Sequence, residues 1–358
     1  MAIGNVAMKQ SETWKEILSQ GQIWQTVLQE MSQSAGVEKI LGTRGKRKEW
    51  IFVGCGSSYY LAEAAANSWT LLTGQRARSV PASEVLLFPD LIKVENAESQ
   101  AVLISRSGKT SETVRAAKLL SGELGMPTIG LTCARSSELE QKCDSAIVLH
   151  TADEKSMVMT RSFTSMLLSL QYLAGCWAEN TQFIQDLQRM AEHFAPRIHS
   201  IAELIEAFVQ QQSFADYVFL GQGPFHGIAR EASLKVMEMS CSYSQFFHAL
   251  EFRHGPKAIV DQGTCLMFFL SETGLGAERE VLEEMKELGG VTIAVCNRAD
   301  GSVRSASDLV IEGGFDGNEL ALLAPYAIAG QLLGFFIGAQ KGLDADHPKN
   351  LSRVVILD

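Results

Sequence analysis

Four hydroxyl side chains crowd one short stretch of the chain. Ser105, Ser107, Thr110 and Ser111 fall within seven residues of VLISRSGKTSET (102–113). The apolar run Ala101–Ile104 stops at once into them, and helical sequence follows from Ser111. A strand, a tight turn and a helix N-terminus in that order offer an anion free backbone N–H groups and the positive end of a helix dipole. Short hydroxyls add hydrogen bonds without adding charge. An ordinary capping turn accounts for one or two of them, not four. The chemistry this pattern serves is phosphate binding. A second set is Glu231, Lys235 and Glu238, whose i, i+4, i+7 spacing puts them on one face of a helix predicted over Gly227–Met239. Such a face either lines a cleft between domains or is a solvated surface closed by one salt bridge, and spacing does not separate the two. His254, in EFRHGPK, and Cys55, in GCGSSY, are single residues able to carry acid/base or thiol chemistry.

The elements that must position these residues alternate. Strand Trp50–Val53 runs into GCGSSYY and a helix over Leu61–Leu72, and a short strand lies around Arg78–Val80. Then come strand Ala101–Ile104, helix Ser111–Leu120, and strands Thr128–Leu131 and Ala146–Leu149. Strands that are nearly all apolar and alternate with helices predict a parallel sheet covered on both faces. Residues 161–195 are mainly helical and lead to a second unit that repeats the first. IFVGCG (51–56) matches VFLGQG (218–223), and Leu61–Ala62 matches Ile228–Ala229. LIS (103–105) pairs with FLS (269–271), TIGL (128–131) with TIAV (292–295), and Ala146–Leu149 with Asp308–Ile311. The expected fold is α/β: two tandem flavodoxin-like units, each a parallel sheet flanked by helices. The copies differ in chemistry, because the second has SETGLGAE (271–278) in place of the serine cluster. Ahead of both, residues 1–34 read as amphipathic helix, with Trp14, Ile17, Leu18, Ile23, Trp24, Val27 and Leu28 on one face.

Composition narrows the partners. With 358 residues, 46% hydrophobic and 20% charged, the chain has the make-up of a two-domain soluble protein. A net charge of −10 and no Lys/Arg-rich run argue against nucleic acid. Seven scattered cysteines, an odd number with no CxxC, predict free thiols in a reducing cytoplasm and no metal site. The N-terminus MAIGNVAMKQSETW has no apolar core of a secretory signal. Leu320–Ala339 is apolar enough to raise the question of a membrane span, but Pro325, Tyr326, Gln331 and its small residues predict a buried helix and no membrane partner. GCGSSY has Tyr59 where a dinucleotide fingerprint needs its third glycine, and SRSGKT has Leu103 where a P-loop needs its first.

These motifs together resemble the tandem SIS (sugar isomerase) family, including the isomerase domain of glucosamine-6-phosphate synthase and the amino-sugar-phosphate deaminase/isomerases. The resemblance rests on GCGSS (54–58), SRSGKTSET (105–113), MTRSFTSM (159–166), EASLKVME (231–238), EFRHGP (251–256) and DADHPKNLSRVV (344–355). It implies an N-terminal helical segment over 1–34, a phosphate-binding SIS domain over 35–195, a second SIS domain with the catalytic glutamate over 196–340, and a tail over 341–358 that folds across the active site. It implies that Ser105, Ser107 and Thr110 hold a sugar phosphate with Ser57 and Ser58, that Arg106 of the same turn joins them in binding the substrate, and that Cys55 and Gly56 lie beside the sugar. Glu238 is then the base that moves a proton between C1 and C2, with Lys235 one helical turn before it. His254 helps to open the ring from a neighbouring subunit, which makes a homodimer necessary, and no cofactor is required.

Two departures bear on the reaction. Arg353 stands where the synthase type has lysine in the tail; arginine binds an oxyanion but forms no Schiff base. Arg106-Ser107 and Met159-Thr160-Arg161 resemble the deaminase/isomerase branch. The sequence opens MAIGN and leaves about 35 residues before the first domain, so glutamine hydrolysis by this chain is not expected. The expected reaction is conversion of a 2-amino-2-deoxyhexose 6-phosphate to a ketose 6-phosphate and ammonia. The alternatives are an aminotransferase-like isomerase working in the other direction, a fructosamine-6-phosphate deglycase, and a sugar-phosphate sensor without catalysis.

Overall fold

The computed structural model describes residues 9–45, 48–92 and 98–357. The first eight residues of the expected N-terminal helix, and residues 46–47 ahead of the first strand, lie outside them. By its contacts the chain divides into two compact units, and each holds one sheet.

The first-sheet unit comprises Gln22–Glu154, Arg161–Ala191 and the tail from Ser352. After helices α1 (Glu12–Leu18), α2 (Gln20–Ser32) and α3 (Ala35–Leu41), the chain enters β1 (Glu49–Gly54), α4 (Ser57–Thr73), β2 (Arg76–Pro81), α5 (Ala82–Leu87), β3 (Ser99–Ile104), α6 (Ser111–Lys118), β4 (Thr128–Thr132), α7 (Glu138–Lys142), β5 (Ser145–Val148) and α8 (Arg161–Trp177). The sheet is all parallel, in the order β2-β1-β3-β4-β5. Every residue of β3 is buried, as a strand covered on both faces must be. Trp50 of β1 meets Trp69 of α4 at 4.0 Å and Trp177 of α8 at 4.9 Å, which ties one helical face to the sheet. The helical stretch expected over 161–195 is two helices, α8 and α9 (Thr181–Phe194), separated where Glu179 takes φ of 56°.

The second-sheet unit comprises the described chain up to Gly21, Lys155–Thr160 and Glu192–Leu351. It contains α10 (Ile198–Gln211), β6 (Asp216–Gly221), α11 (Pro224–Ser240), β7 (Ser244–His248), β8 (Thr264–Phe269), α12 (Leu275–Glu287), β9 (Val291–Cys296), α13 (Gly301–Ser305), β10 (Leu309–Glu312) and α14 (Leu323–Gln340). Its parallel order, β10-β9-β8-β6-β7, is that of the first sheet read from the other edge. Strand β7 is the counterpart of β2, and its sequence, SQFFH, carries no long apolar run.

The ladders correct two pairings of the repeat. Val53 pairs with Leu103, and the equivalent Leu220 pairs with Phe268, so Leu103 matches Phe268 and Ser105 matches Leu270, one residue from the LIS/FLS match. Leu131 pairs with Ile147 and Val295 with Ile311, so Ile147 matches Ile311, two residues from the match by sequence. The shared serine misaligns the strings because the second turn is one residue shorter. At the opening turn the match is close: Gly56 and Gly223, just before α4 and α11, both adopt φ 54° and ψ −128°. A side chain is strained there.

Helix α14 is buried throughout the apolar window that gave it the length and hydropathy of a membrane span. It lies against α11 through Gly330, Gly334 and Gly338. A β-carbon on Gly334 would stand 2.7 Å from the carbonyl oxygen of Lys235, and those on Gly330 and Gly338 would collide with Ala232 and Met239. Gly334→Val is therefore expected to separate the helices and lower stability by about 1–3 kcal/mol, measured by urea unfolding. An unchanged midpoint would show that the close approach is not needed. The N-terminal α1 belongs to this unit. Trp14 stacks on Phe335 at 5.4 Å, and Asp346 of the tail motif accepts hydrogen bonds from the Glu12 and Thr13 amides at 2.8 Å.

Candidate functional site

In the first-sheet unit, the six residues between β3 and α6 turn tightly enough to gather their hydroxyls. Ser105 Oγ lies 2.9 Å from Thr110 Oγ1 and 3.5 Å from Ser107 Oγ. The turn is held locally: Ser105 Oγ accepts from the Gly108 amide and Ser107 Oγ from the Lys109 amide. Gly108 has φ of 60°, and a β-carbon on it would drive into the side chain of Ser137, so glycine is required on both counts. Thr110 is the N-cap of α6, but its hydroxyl is turned to Ser105 instead of to the helix amides. Ser57 and Ser58 are buried at the first two positions of α4.

Arg106 sits in the same turn and does something else. Its side chain is buried, pairs with the carboxylate of Glu154 at 3.4 Å, and donates to the carbonyl of Arg353. Arg353 in turn pairs with Asp153 at 2.9 Å and donates to the Glu154 carbonyl. Ser162 donates to the Glu154 carboxylate. The two arginines thus lock the tail to the loop after β5. Sequence reasoning missed Asp153 and Glu154, a lone acidic pair in a loop that no motif flags. The tail continues along α6: the Ser111 amide donates to the Val355 carbonyl, the Leu357 amide to Ser111 Oγ, and Arg115 to the Leu357 carbonyl. A cavity of about 350 Å³ beside it is lined by Lys109, Ser111, Arg115, Lys118, Glu138 and Ile356, among others.

Cys55 makes weak contacts with Glu112 at 3.8 Å and Thr113 at 3.7 Å. Burial pushes its thiol pKa up, and the charge of Glu112 adds to that. It is a neutral thiol, not a nucleophilic thiolate. All seven cysteines are free.

In the second-sheet unit, α11 places its three charges in the way the solvated-face reading does not allow. Lys235 has 0% of its side chain exposed, and Glu231 has 1%. Lys235 Nζ pairs with Glu231 at 3.3 Å and with Glu238, whose side chain is 17% exposed. Burial by itself would push the ammonium pKa down; the two carboxylates outweigh it and hold the pKa up. Lys235 is therefore held in its charged form. It fixes Glu238, the one of the two carboxylates that solvent still reaches. The glycine face of α14 comes up against the backbone of α11 at Lys235. His254 lies exposed after a short 3-10 turn, its amide donating to the Glu251 carbonyl. Its side chain hydrogen-bonds to neither group among the described residues.

The turn after β8 is the counterpart of the hydroxyl turn and has an opposite charge. Glu278, fully buried on α12, accepts from the Ser271 amide at 2.7 Å and from Ser271 Oγ at 3.0 Å. Burial raises its pKa from 4.5 to about 7, against the hydrogen bonds from Ser271. Between those values the folded protein keeps a proton that the unfolded chain releases, so stability falls as pH rises through the window. The whole effect is about 3 kcal/mol, complete above pH 7 and absent below 4.5. Urea unfolding from pH 5 to 8 should show this decline in the wild type and less of it in Glu278→Gln; equal slopes would contradict it.

With both sites described, comparison with known proteins gives the following. The SIS domain family model matches residues 45–175 and 216–313. The glutamine–fructose-6-phosphate aminotransferase (isomerizing) of Pyrobaculum aerophilum is 26% identical over 338 residues, covering 91% of this chain and 54% of its own length. The chain spans about half the length of the curated relatives it matches. Among solved structures, the glucosamine-6-phosphate deaminase of Thermotoga maritima superposes with a TM-score of 0.81 at 28% identity, over 97% of this chain and all of that one. The tagatose-6-phosphate ketose/aldose isomerase of Escherichia coli reaches 0.82 at 21% identity, over 93% of this chain and 94% of that one, which is a likeness of fold.

Proposed function

This chain belongs to the SIS domain family, and from that premise we propose that it converts a 2-amino-2-deoxyhexose 6-phosphate to a ketose 6-phosphate and ammonia. The observation that carries the reading is Glu238, a half-open carboxylate pinned by a buried, charged lysine at the end of α11. The solved deaminase, matched over its whole length, supports this reaction over the others.

In this reading the hydroxyls of Ser105, Ser107 and Thr110, with Ser57 and Ser58, take the sugar phosphate. Cys55 and Gly56 lie beside the sugar as neutral, compact walls. His254 assists ring opening as acid or base; its exposed place supports action on the site of a second copy, so the reading includes a homodimer. Glu238 removes the proton at C2 of the open-chain sugar and returns it at C1. The resulting C2 imine adds water, and ammonia leaves with the ketone formed. Lys235 is a positioning residue. Arg106 and Arg353 are assigned to holding the tail, not to the reacting atoms.

The test is a substrate panel. Glucosamine 6-phosphate and galactosamine 6-phosphate are each incubated with the protein while ammonia and ketose phosphate are followed. Ammonia formed in step with ketose phosphate from either supports the proposal. Ammonia consumed only in the presence of fructose 6-phosphate favours the aminotransferase-like direction, in keeping with the curated relatives. Binding of fructose 6-phosphate without turnover of any of them makes the chain a sensor and removes Glu238 from its role.

A further inference from the structure

We propose that Glu278 and Glu319 occupy, as built-in anions, the second copy of the phosphate turn, and so confine anion binding to one site per chain. The inference rests on the reading of the Ser105–Ser111 turn as a phosphate site. The two turns follow equivalent strands, since Leu103 of β3 and Phe268 of β8 hold the same register. In the second turn three successive amides all donate to protein carboxylates. Ser271 N donates to Glu278 Oε2 at 2.7 Å, Glu272 N to Glu319 Oε2 at 2.6 Å, and Thr273 N to Glu319 Oε2 at 3.3 Å. Two hydroxyls join them, Ser271 Oγ to Glu278 and Thr273 Oγ1 to Glu319. Successive amides converging in this way form an anion-binding concavity, and here the anions belong to the chain.

Helix capping accounts for Glu278, which lies in the first turn of α12, but not for Glu319. A capping glutamate comes from the first turn of its own helix. Glu319 comes from 47 residues beyond Glu272, and Glu278 is fully buried with no ion pair among the described residues. A buried carboxylate without a cation is costly unless donors replace its water, and the turn supplies those donors. The surroundings differ in sign as well. Lys109, Arg115 and Lys118 flank the first turn, whereas Glu272, Glu278 and Glu319 crowd the second.

The experiment counts inorganic phosphate bound per chain by isothermal titration calorimetry at pH 8, in wild type and in the folded double variant Glu278→Ala/Glu319→Ala. The expected result is one phosphate for wild type and two for the variant. Should the double variant not fold, Glu319→Ala alone, at a partly exposed residue, clears the Glu272 and Thr273 amides and is expected to gain the second site. An unchanged count in a folded variant, or two phosphates on wild type, would overturn the inference. A wild type that binds none and a variant that binds one would leave the inference standing and remove the reading of the first turn.

Discussion

Glu238→Gln is expected to lower kcat for ammonia release by about 10²–10⁴-fold, the usual worth of a positioned acid/base. Glutamine keeps the shape of the side chain and a carbonyl oxygen for Lys235, but it cannot take a proton from carbon. KM should change little, because the phosphate is held elsewhere and the lost interaction belongs to the transition state. Michaelis curves for wild type and variant separate the two quantities. A variant with wild-type kcat would assign the proton transfer to another group.

Lys235→Met is expected to be the most damaging substitution for the fold. It keeps the volume and removes the charge between Glu231 and Glu238. Glu231, with 1% of its side chain exposed, would lose the buried Lys235 ammonium that pairs with it at 3.3 Å, and breaking a buried pair costs about 3–5 kcal/mol. Adding Glu231→Gln should recover much of that, since the double change removes the uncompensated charge. Urea unfolding of the single and double variants measures both. A loss below about 1 kcal/mol for Lys235→Met would mean that the triad is not held as the structure shows.

How much of this was legible in the sequence follows from the range of the forces involved. The hydroxyl turn could be read because the hydroxyls that gather in it all lie between Ser105 and Ser111. Central strands could be read because a strand buried on both faces is an unbroken apolar run. Strand β7 could not, since an edge strand needs no such run and SQFFH becomes a strand only by pairing with β6. The Glu231–Lys235–Glu238 spacing fixed one face but not its environment. The glycines that let α14 approach α11, Gly330 to Gly338, lie about a hundred residues away and read as nothing more than small residues in an apolar helix. The partner of Arg106 was out of reach of motif reading for a related reason: Glu154 lies 48 residues on.

The account divides the work between two sets of residues: hydroxyls that anchor a phosphate and a carboxylate that moves a proton. The most direct test is the rate of ammonia release by the wild type from glucosamine 6-phosphate against glucosamine without the phosphate, at equal concentration. The account predicts ammonia and ketose 6-phosphate in equal amounts from the first and no measurable ammonia from the second. Equal rates from both sugars, or none from the phosphorylated one, would contradict it.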